Sequence, residues 1–378
     1  MQPNFHLQTL ITKRWLYLNE NWSRFEKDIE NRPPRGLKID RRKLKDLSQG
    51  DERVTLNIVE LRVLYEYFIE VGLTQPHENF IFRAPGSLLD ALHGEKEITV
   101  FYPSRYLWRF DMEGASRWDI RAFEELHRTR EIAGLHVEIQ DAFHEGNRYP
   151  SVDELKKNIS LEPWYEMLKK DQAIVSIGCP MSSYASEETL CRMFDIDPYN
   201  PQGLDTEDRL PFYFYWPELP KDTRFSTSSL SVTREELRAF YPNQLKELPA
   251  KTRAVLVGNK LYPAPKAGES MNLVIAQYRN GHLNLVLLGV YAPGTLAIAE
   301  CVAERLITTT LGPYRHRNEQ QPILINLIST MITKTDNSDG TDEKPSRDTR
   351  TLVAKRLVSW QRWQRTAVGF ELLEEGDY

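Results

Sequence analysis

Apolar runs of strand length, separated by patterns of helical period, dominate this chain from residue 98 onward. The runs 98–104, 135–140 and 173–178 alternate with helical segments, an order that favours parallel pairing of the strands. The run 173–178 is mostly apolar, as expected for a central strand buried on both faces. The sequence therefore predicts an α/β fold with a Rossmann-like, mostly parallel sheet and flanking helices.

The second half of the chain adds more strands and two irregular segments. Further strands are predicted at 212–216, 253–258, 272–279, 284–291, 322–332 and 351–360. Asn280-Gly281 is the strongest short hairpin signal in the chain. We predict that 195–250, rich in Pro, Asp and aromatic residues, is an insertion, and that the polar segment 333–350 is a mobile loop.

The length of 378 residues predicts two domains, because a single core rarely serves so long a chain. Residues 1–75 have the pattern of a small helical module, with helices at 9–31, 40–48 and 57–71. Asp40 is placed to cap the second of these helices. Residues 76–378 form the predicted α/β domain.

Charge, cysteine content and hydropathy exclude several classes of protein. A net charge of −5 excludes a chain that binds nucleic acid over its whole surface, so any basic footprint is local. Three cysteines and no signal peptide favour the reducing cytoplasm. No cysteine or histidine spacing predicts a metal site, and no apolar run reaches the roughly 18 residues of a membrane span.

A local basic patch lies in the N-terminal module. Eight basic residues stand against four acidic ones between Arg32 and Arg53. Because lysine and arginine neutralise phosphates, such a patch predicts salt-dependent binding to nucleic acid. The alternative is an ordinary helical surface whose basic side chains only face solvent.

The segment 39–68 resembles the second half of a lambda-repressor-like, Cro-type helix-turn-helix. The matching residues are apolar or terminate helices: Ile39, Leu44, Leu47, Gly50, Leu61 and Leu64. The resemblance implies that helix 40–48 enters the major groove of double-stranded DNA, and that the contacting side chains are Arg41, Arg42, Lys45 and Lys38. The chain departs from the family just before this helix, where it has Arg-Pro-Pro-Arg-Gly. Residues 75–378 resemble no family that we recognise.

Two turns at the ends of predicted strands are candidate ligand-binding segments. The first follows the strand 173–178 and offers Gly178, Ser182, Ser183, Ser186 and Glu187. The second follows the strand 284–291 and offers Gly289, Gly294 and Thr295, with Thr295 as the expected N-cap. Together they predict one crevice at a topological switch point, where backbone amides bind a nucleotide or another small phosphate-bearing anion. Taken singly, each turn is more typical of a structural helix cap.

These features favour a ligand-sensing DNA-binding regulator that forms a homo-oligomer, because paired half-sites follow from two-fold symmetry. One alternative is an enzyme that cleaves the glycosidic bond of a nucleotide or NAD, with Glu187 or Glu300 as its carboxylate. The eight histidines lack a recognisable partner motif, which favours binding over catalysis. The other alternative is a non-catalytic interaction protein.

Overall fold

The computed structural model describes most of the chain in separate segments. They are residues 5–31, 39–49, 87–93, 97–107, 112–129, 134–139, 151–170, 172–181, 183–205, 209–217, 228–308, 321–334 and 350–378, with single positions at 60, 64, 67, 68, 70–73, 95 and 311. Lys38, Gly50 and Ser182, which the sequence predictions name, fall outside these segments. Of the predicted mobile loop 333–350, only residues 333, 334 and 350 lie within them.

The described helices and strands follow one another in a mixed order. The helices are α1 (Phe5–Tyr17), α2 (Trp22–Glu30), α3 (Arg41–Ser48), α4 (Leu88–His93), α5 (Arg117–Thr129), α6 (Val152–Leu161), α7 (Pro163–Leu168), α8 (Tyr184–Phe194), α9 (Arg234–Phe240), α10 (Pro242–Glu247) and α11 (Ala292–Ala303). The strands are β1 (Ile98–Leu107), β2 (Met112–Ala115), β3 (Gly134–Ile139), β4 (Ala173–Ile177), β5 (Phe212–Tyr215), β6 (Ser231–Val232), β7 (Arg253–Val257), β8 (Lys260–Ala264), β9 (Gly268–Arg279), β10 (His282–Leu288), β11 (Ile323–Lys334), β12 (Arg350–Thr366) and β13 (Gly369–Asp377).

The N-terminal helices α1, α2 and α3 share one small core. Leu10, Phe25 and Leu44 are buried together with Tyr67 and Phe68. The single helix predicted for 9–31 is wrong: Asn19 and Glu20 both have a φ of 58° and separate α1 from α2. The helical spacing of apolar residues continues across this break because α1 and α2 both direct their apolar faces towards the same core.

The main sheet contains nine described strands and is mixed. Four adjacent strands, in the order β3-β1-β4-β10, are parallel. Beyond them β9, β11, β12 and β13 pair antiparallel, as does β2 with β1. The expectation of a mostly parallel sheet is therefore wrong: close hairpins join β9 to β10 and β12 to β13, and β11 pairs antiparallel with both of its neighbours. Asn280 and Gly281 form the β9–β10 turn as predicted, with φ of 51° and 88°.

Helices cover both faces of the parallel strands. Val175 and Ile177 of β4 lie in the core that α4, α5 and α11 share. Ile174, one residue along, lies in the core shared with α6, α7 and the start of α8. Since neighbouring side chains of a strand point to opposite faces, α8 and α11 lie on opposite sides of the sheet.

A second, four-stranded sheet has the order β6-β5-β7-β8 and ends at Ala264. It thus extends past residue 250, where we placed the end of the insertion. Its aromatic strand β5 is wholly buried against α8 and β10.

All three cysteines are buried, and none of them forms a disulfide bond. None of the helices in the described segments has both the length and the apolar character that a membrane crossing requires.

Candidate functional site

The two predicted ligand-binding turns lie at one edge of the main sheet, which we call the carboxyl edge. Strands β4 and β10 are parallel neighbours, with Ile177 opposite Leu287. The backbone nitrogen of Gly178 donates to the carbonyl of Leu287 at 2.9 Å. The chain order around β1 reverses between β1 and β4, so only the first turn borders the switch point.

The turn after β4 is a close-packed connection. Gly178 has a φ of 107°, a conformation that favours glycine, and an added Cβ would touch Pro103 and Ser183. Ser183 caps α8 by accepting a hydrogen bond from the backbone nitrogen of Ser186 at 3.1 Å. The Ser183 hydroxyl oxygen therefore caps the helix itself, and α8 begins at Tyr184, which places Glu187 in its first turn.

Glu187 and Ser186 are both fully buried. The Glu187 carboxyl accepts hydrogen bonds from the backbone nitrogens of Tyr199 and Ser229 at 3.1 and 2.8 Å, and from the Ser228 hydroxyl at 2.7 Å. Its oxygens thus hold two segments of the insertion rather than a ligand, which corrects its assignment as a ligand-binding residue. The Ser186 hydroxyl has no hydrogen-bond partner among the described residues.

The turn after β10 is also filled by the chain itself. Helix α11 begins at Ala292, so Thr295 is the buried fourth residue of the helix and the expected Thr295 N-cap is wrong. The backbone nitrogen of Gly294 donates to the carbonyl of Tyr291 at 2.8 Å and is not exposed for a ligand. A Cβ at Gly289 would overlap the backbone of Thr295.

Asn272 is a buried residue that sequence reasoning missed. Its side-chain oxygen accepts from the backbone nitrogen of Val290 at 3.0 Å, and its nitrogen donates to the Thr330 hydroxyl at 2.9 Å. A Cβ at Gly294 would overlap the Asn272 side chain. Asn272 therefore occupies the start of α11, where we expected an anion; one asparagine within an apolar strand gave no sequence signal of this role.

The two turns do not form one amide-lined crevice, because α8 and α11 begin on opposite faces of the sheet. A single ligand held by both helix N-termini would have to span the carboxyl edge. The sheet has apolar side chains on both faces, and covering each face requires a helix on each side.

Arginine and aromatic side chains instead converge at the carboxyl edge. The Arg253 guanidinium carbon lies 3.4 Å from the ring centre of Trp216 and 4.5 Å from that of Tyr291. The Arg350 guanidinium carbon lies 5.4 Å from the ring centre of the same tyrosine, Tyr291. Arg117, at the start of α5, donates to the carbonyl of Arg350 at 3.4 Å. We call these five residues the arginine–aromatic cluster.

The carboxylates proposed for an enzyme are engaged by other parts of the chain. Glu300 accepts a hydrogen bond from Lys355 of β12 at 2.7 Å, and Lys355 also pairs with Glu304. Glu187 is held as described above. Neither is placed as a water-activating base at the carboxyl edge.

Glu188 is a buried acid beside Glu187 on α8. Burial, and then the neighbouring Glu187 charge, raise the pKa of Glu188 to about 7. Tyr199 lies close to it, and its hydroxyl group opposes part of the rise in the pKa of Glu188. This arrangement disfavours the charged form of Glu188 in the folded protein.

We expect Glu188→Gln to stabilise the protein above pH 7 and to flatten its pH dependence. A raised folded-state pKa means that the folded state holds the proton more tightly than the unfolded chain does. Wild-type stability should therefore fall as pH rises from about 4.5 to about 7, by up to about 3 kcal/mol. Denaturant unfolding at several pH values measures this, with the exposed Glu247→Gln as control. Equal slopes for wild type and Glu188→Gln would contradict it.

Three of the four basic residues of α3 face solvent, and the fourth, Lys43, pairs with Glu60. Asp40 accepts a hydrogen bond from the backbone nitrogen of Arg42 at 2.7 Å, which confirms the predicted N-cap. Leu44 and Leu47 are fully buried. Arg41, Arg42 and Lys45 are exposed, and Arg41 also donates to the Ser23 hydroxyl of α2 at 3.0 Å.

No family model, curated protein or solved structure matches this chain. Within the described segments, no group of three or more His, Cys, Asp or Glu side chains is placed to hold a metal ion. The class that fold and site define is thus a mixed α/β protein that carries a helical N-terminal module.

Proposed function

We propose that this protein is a DNA-binding regulator whose N-terminal module contacts the duplex and whose α/β body senses a small anionic ligand. One observation carries the DNA-binding part: α3 buries Leu44 and Leu47 and presents Arg41, Arg42 and Lys45 to solvent. An anchored helix of this kind is rigid, and its cationic side chains are free to reach phosphates or base edges.

The geometry of α3 suits a groove. Arg41 and Lys45 are four residues apart and therefore project from the same side of the helix. The two buried leucines fix the rotation of the helix, so that this side faces away from the small core. Arginine binds guanine or phosphate with two parallel hydrogen bonds, which makes Arg41 and Arg42 the expected main contacts.

The α/β body supplies the sensing function in this proposal. The order of the parallel strands, β3-β1-β4-β10, supports the proposal of a doubly wound, Rossmann-like sheet, a fold in which ligands bind beyond the carboxyl ends of the strands. A homodimer in the cytoplasm would place two copies of α3 on two half-sites, since a single short helix gives limited affinity.

We expect Arg41→Ala with Arg42→Ala to weaken binding to duplex DNA about tenfold to a hundredfold at low salt. The slope of the logarithm of affinity against the logarithm of salt concentration should fall by about two, one for each lost phosphate contact. Fluorescence anisotropy with a labelled duplex of mixed sequence, repeated at several salt concentrations, measures both quantities.

A matched control removes the same charge elsewhere. Lys157→Ala with Lys170→Ala neutralises two exposed lysines of the α/β body and should leave duplex affinity unchanged. Wild-type protein that shows no salt-sensitive affinity for any duplex at low ionic strength would refute the proposal, as would equal losses in both double variants.

A further inference from the structure

We propose that the arginine–aromatic cluster binds a nucleotide, meaning a small ligand that carries both a phosphate and a planar base. This inference names a site and a ligand class for the sensing part of the proposed function, and it rests on that function. The site differs from the amide-lined crevice predicted from the sequence, since its groups come from α5, β7, β12 and the segments after β5 and β10.

Three arginine side chains lie along this part of the carboxyl edge. Arg253 and Arg350 both approach the ring of Tyr291, and Arg117 reaches the backbone of Arg350. Arginine stays charged at any physiological pH, so each of the three brings a permanent positive charge and several N–H donors to this edge. Because guanidinium groups match phosphate oxygens in pairs, a phosphate is the anion that this arrangement fits best.

The aromatic rings provide the second half of the recognition. The Arg253 guanidinium stacks closely on the Trp216 ring, and it also contacts the ring of Tyr291. Trp216, Arg253 and Arg350 are only partly buried, so faces or edges of the stack remain in contact with solvent. A planar base can extend such a stack through contacts with aromatic rings and guanidinium planes.

The location agrees with this assignment. Arg350 begins β12, whose neighbour β11 ends at the same edge of the sheet as β10. Arg117 follows β2, which pairs with the final residues of β1. The cluster therefore collects residues from distant parts of the chain at the carboxyl edge, where α/β sheets bind their ligands.

Isothermal titration calorimetry on the full chain tests the proposal, with ATP, GTP, UTP and NAD as probes. Wild type should bind at least one of the four, more tightly than inorganic phosphate or adenosine alone. Arg117→Ala and Arg350→Ala should each weaken that binding about tenfold or more, because each removes a charge-assisted contact to phosphate. Both residues are at least partly exposed, so the variants are expected to fold.

The matched control is Arg128→Ala, which removes an exposed arginine from the same helix as Arg117 but away from the cluster. It should leave nucleotide affinity unchanged. Thermal unfolding of each variant without ligand separates lost binding from lost folding. Arg350→Lys adds a second readout, since it keeps the charge but loses the paired hydrogen bonds, and should bind between wild type and Arg350→Ala.

Three results would overturn the inference: wild type binding none of the four probes, folded Arg117→Ala and Arg350→Ala binding as tightly as wild type, or inorganic phosphate accounting for the whole affinity. A parallel duplex titration keeps the two proposals apart. Duplex binding without nucleotide binding removes this inference and leaves the DNA-binding function, and the reverse outcome does the opposite.

Discussion

Glu187→Ala should lower the free energy of unfolding by about 4 kcal/mol, because three buried donors lose their acceptor at once. These donors are the backbone nitrogens of Tyr199 and Ser229 and the hydroxyl of Ser228. Each buried polar group left without a partner costs about 1–3 kcal/mol, and water has no direct access to a side chain that is fully buried.

The conservative variant shows whether the acceptor role is the cause. Glu187→Gln keeps the oxygen that receives both backbone nitrogens, and the Ser228 hydroxyl can rotate to accept from the new amide. We therefore expect Glu187→Gln to lose only about 1 kcal/mol. Urea unfolding of the two variants measures the difference. A loss of less than about 1 kcal/mol in the free energy of unfolding of Glu187→Ala would contradict the proposal that the Glu187 carboxyl holds the insertion against α8.

Gly289→Ala should destabilise the protein by about 3 kcal/mol, although it adds only one methyl group. The new carbon would overlap the backbone nitrogen and the hydroxyl of Thr295, the fourth residue of α11. A backbone atom cannot rotate away as a side chain can, so β10 and α11 would have to separate. Ala297 and Ala299, which let α11 pack closely on the sheet, would lose contact in that movement.

Gly203→Ala is the matched control for this effect. Its new carbon would meet mainly the carboxyl of Asp205, the end of an exposed and flexible side chain. We expect a change of no more than about 0.5 kcal/mol there. If thermal unfolding gives the two alanine variants the same midpoint, the close approach of β10 to α11 is not what holds the turn.

Local features of the fold could be predicted from the sequence. Asp40 caps α3, and Asn280-Gly281 turns the β9–β10 hairpin, because each depends on residues adjacent in the chain. The exposed position of Arg41 and Arg42 follows from the spacing of Leu44 and Leu47 within one helix. Gly178 marks its turn because its positive φ disfavours any residue with a Cβ.

Non-local features could not be predicted in this way. Thr295 has the chemistry of an N-cap, but α11 begins three residues earlier, where Gly289 and Asn272 pack on its first turns. Glu187 at the start of a helix is compatible with anion binding or with catalysis. Its saturation by donors from residues 199, 228 and 229 depends on how the insertion folds back over α8.

The sequence by itself determined the periodicity, the caps and the turns, and with them the helical module and the alternation of strands and helices. Only the tertiary structure decided that α8 and α11 lie on opposite faces, and that Arg117, Arg253 and Arg350 meet at the carboxyl edge. The reason is that caps and turns are set by interactions over a few residues, whereas strand order brings together residues more than 200 positions apart.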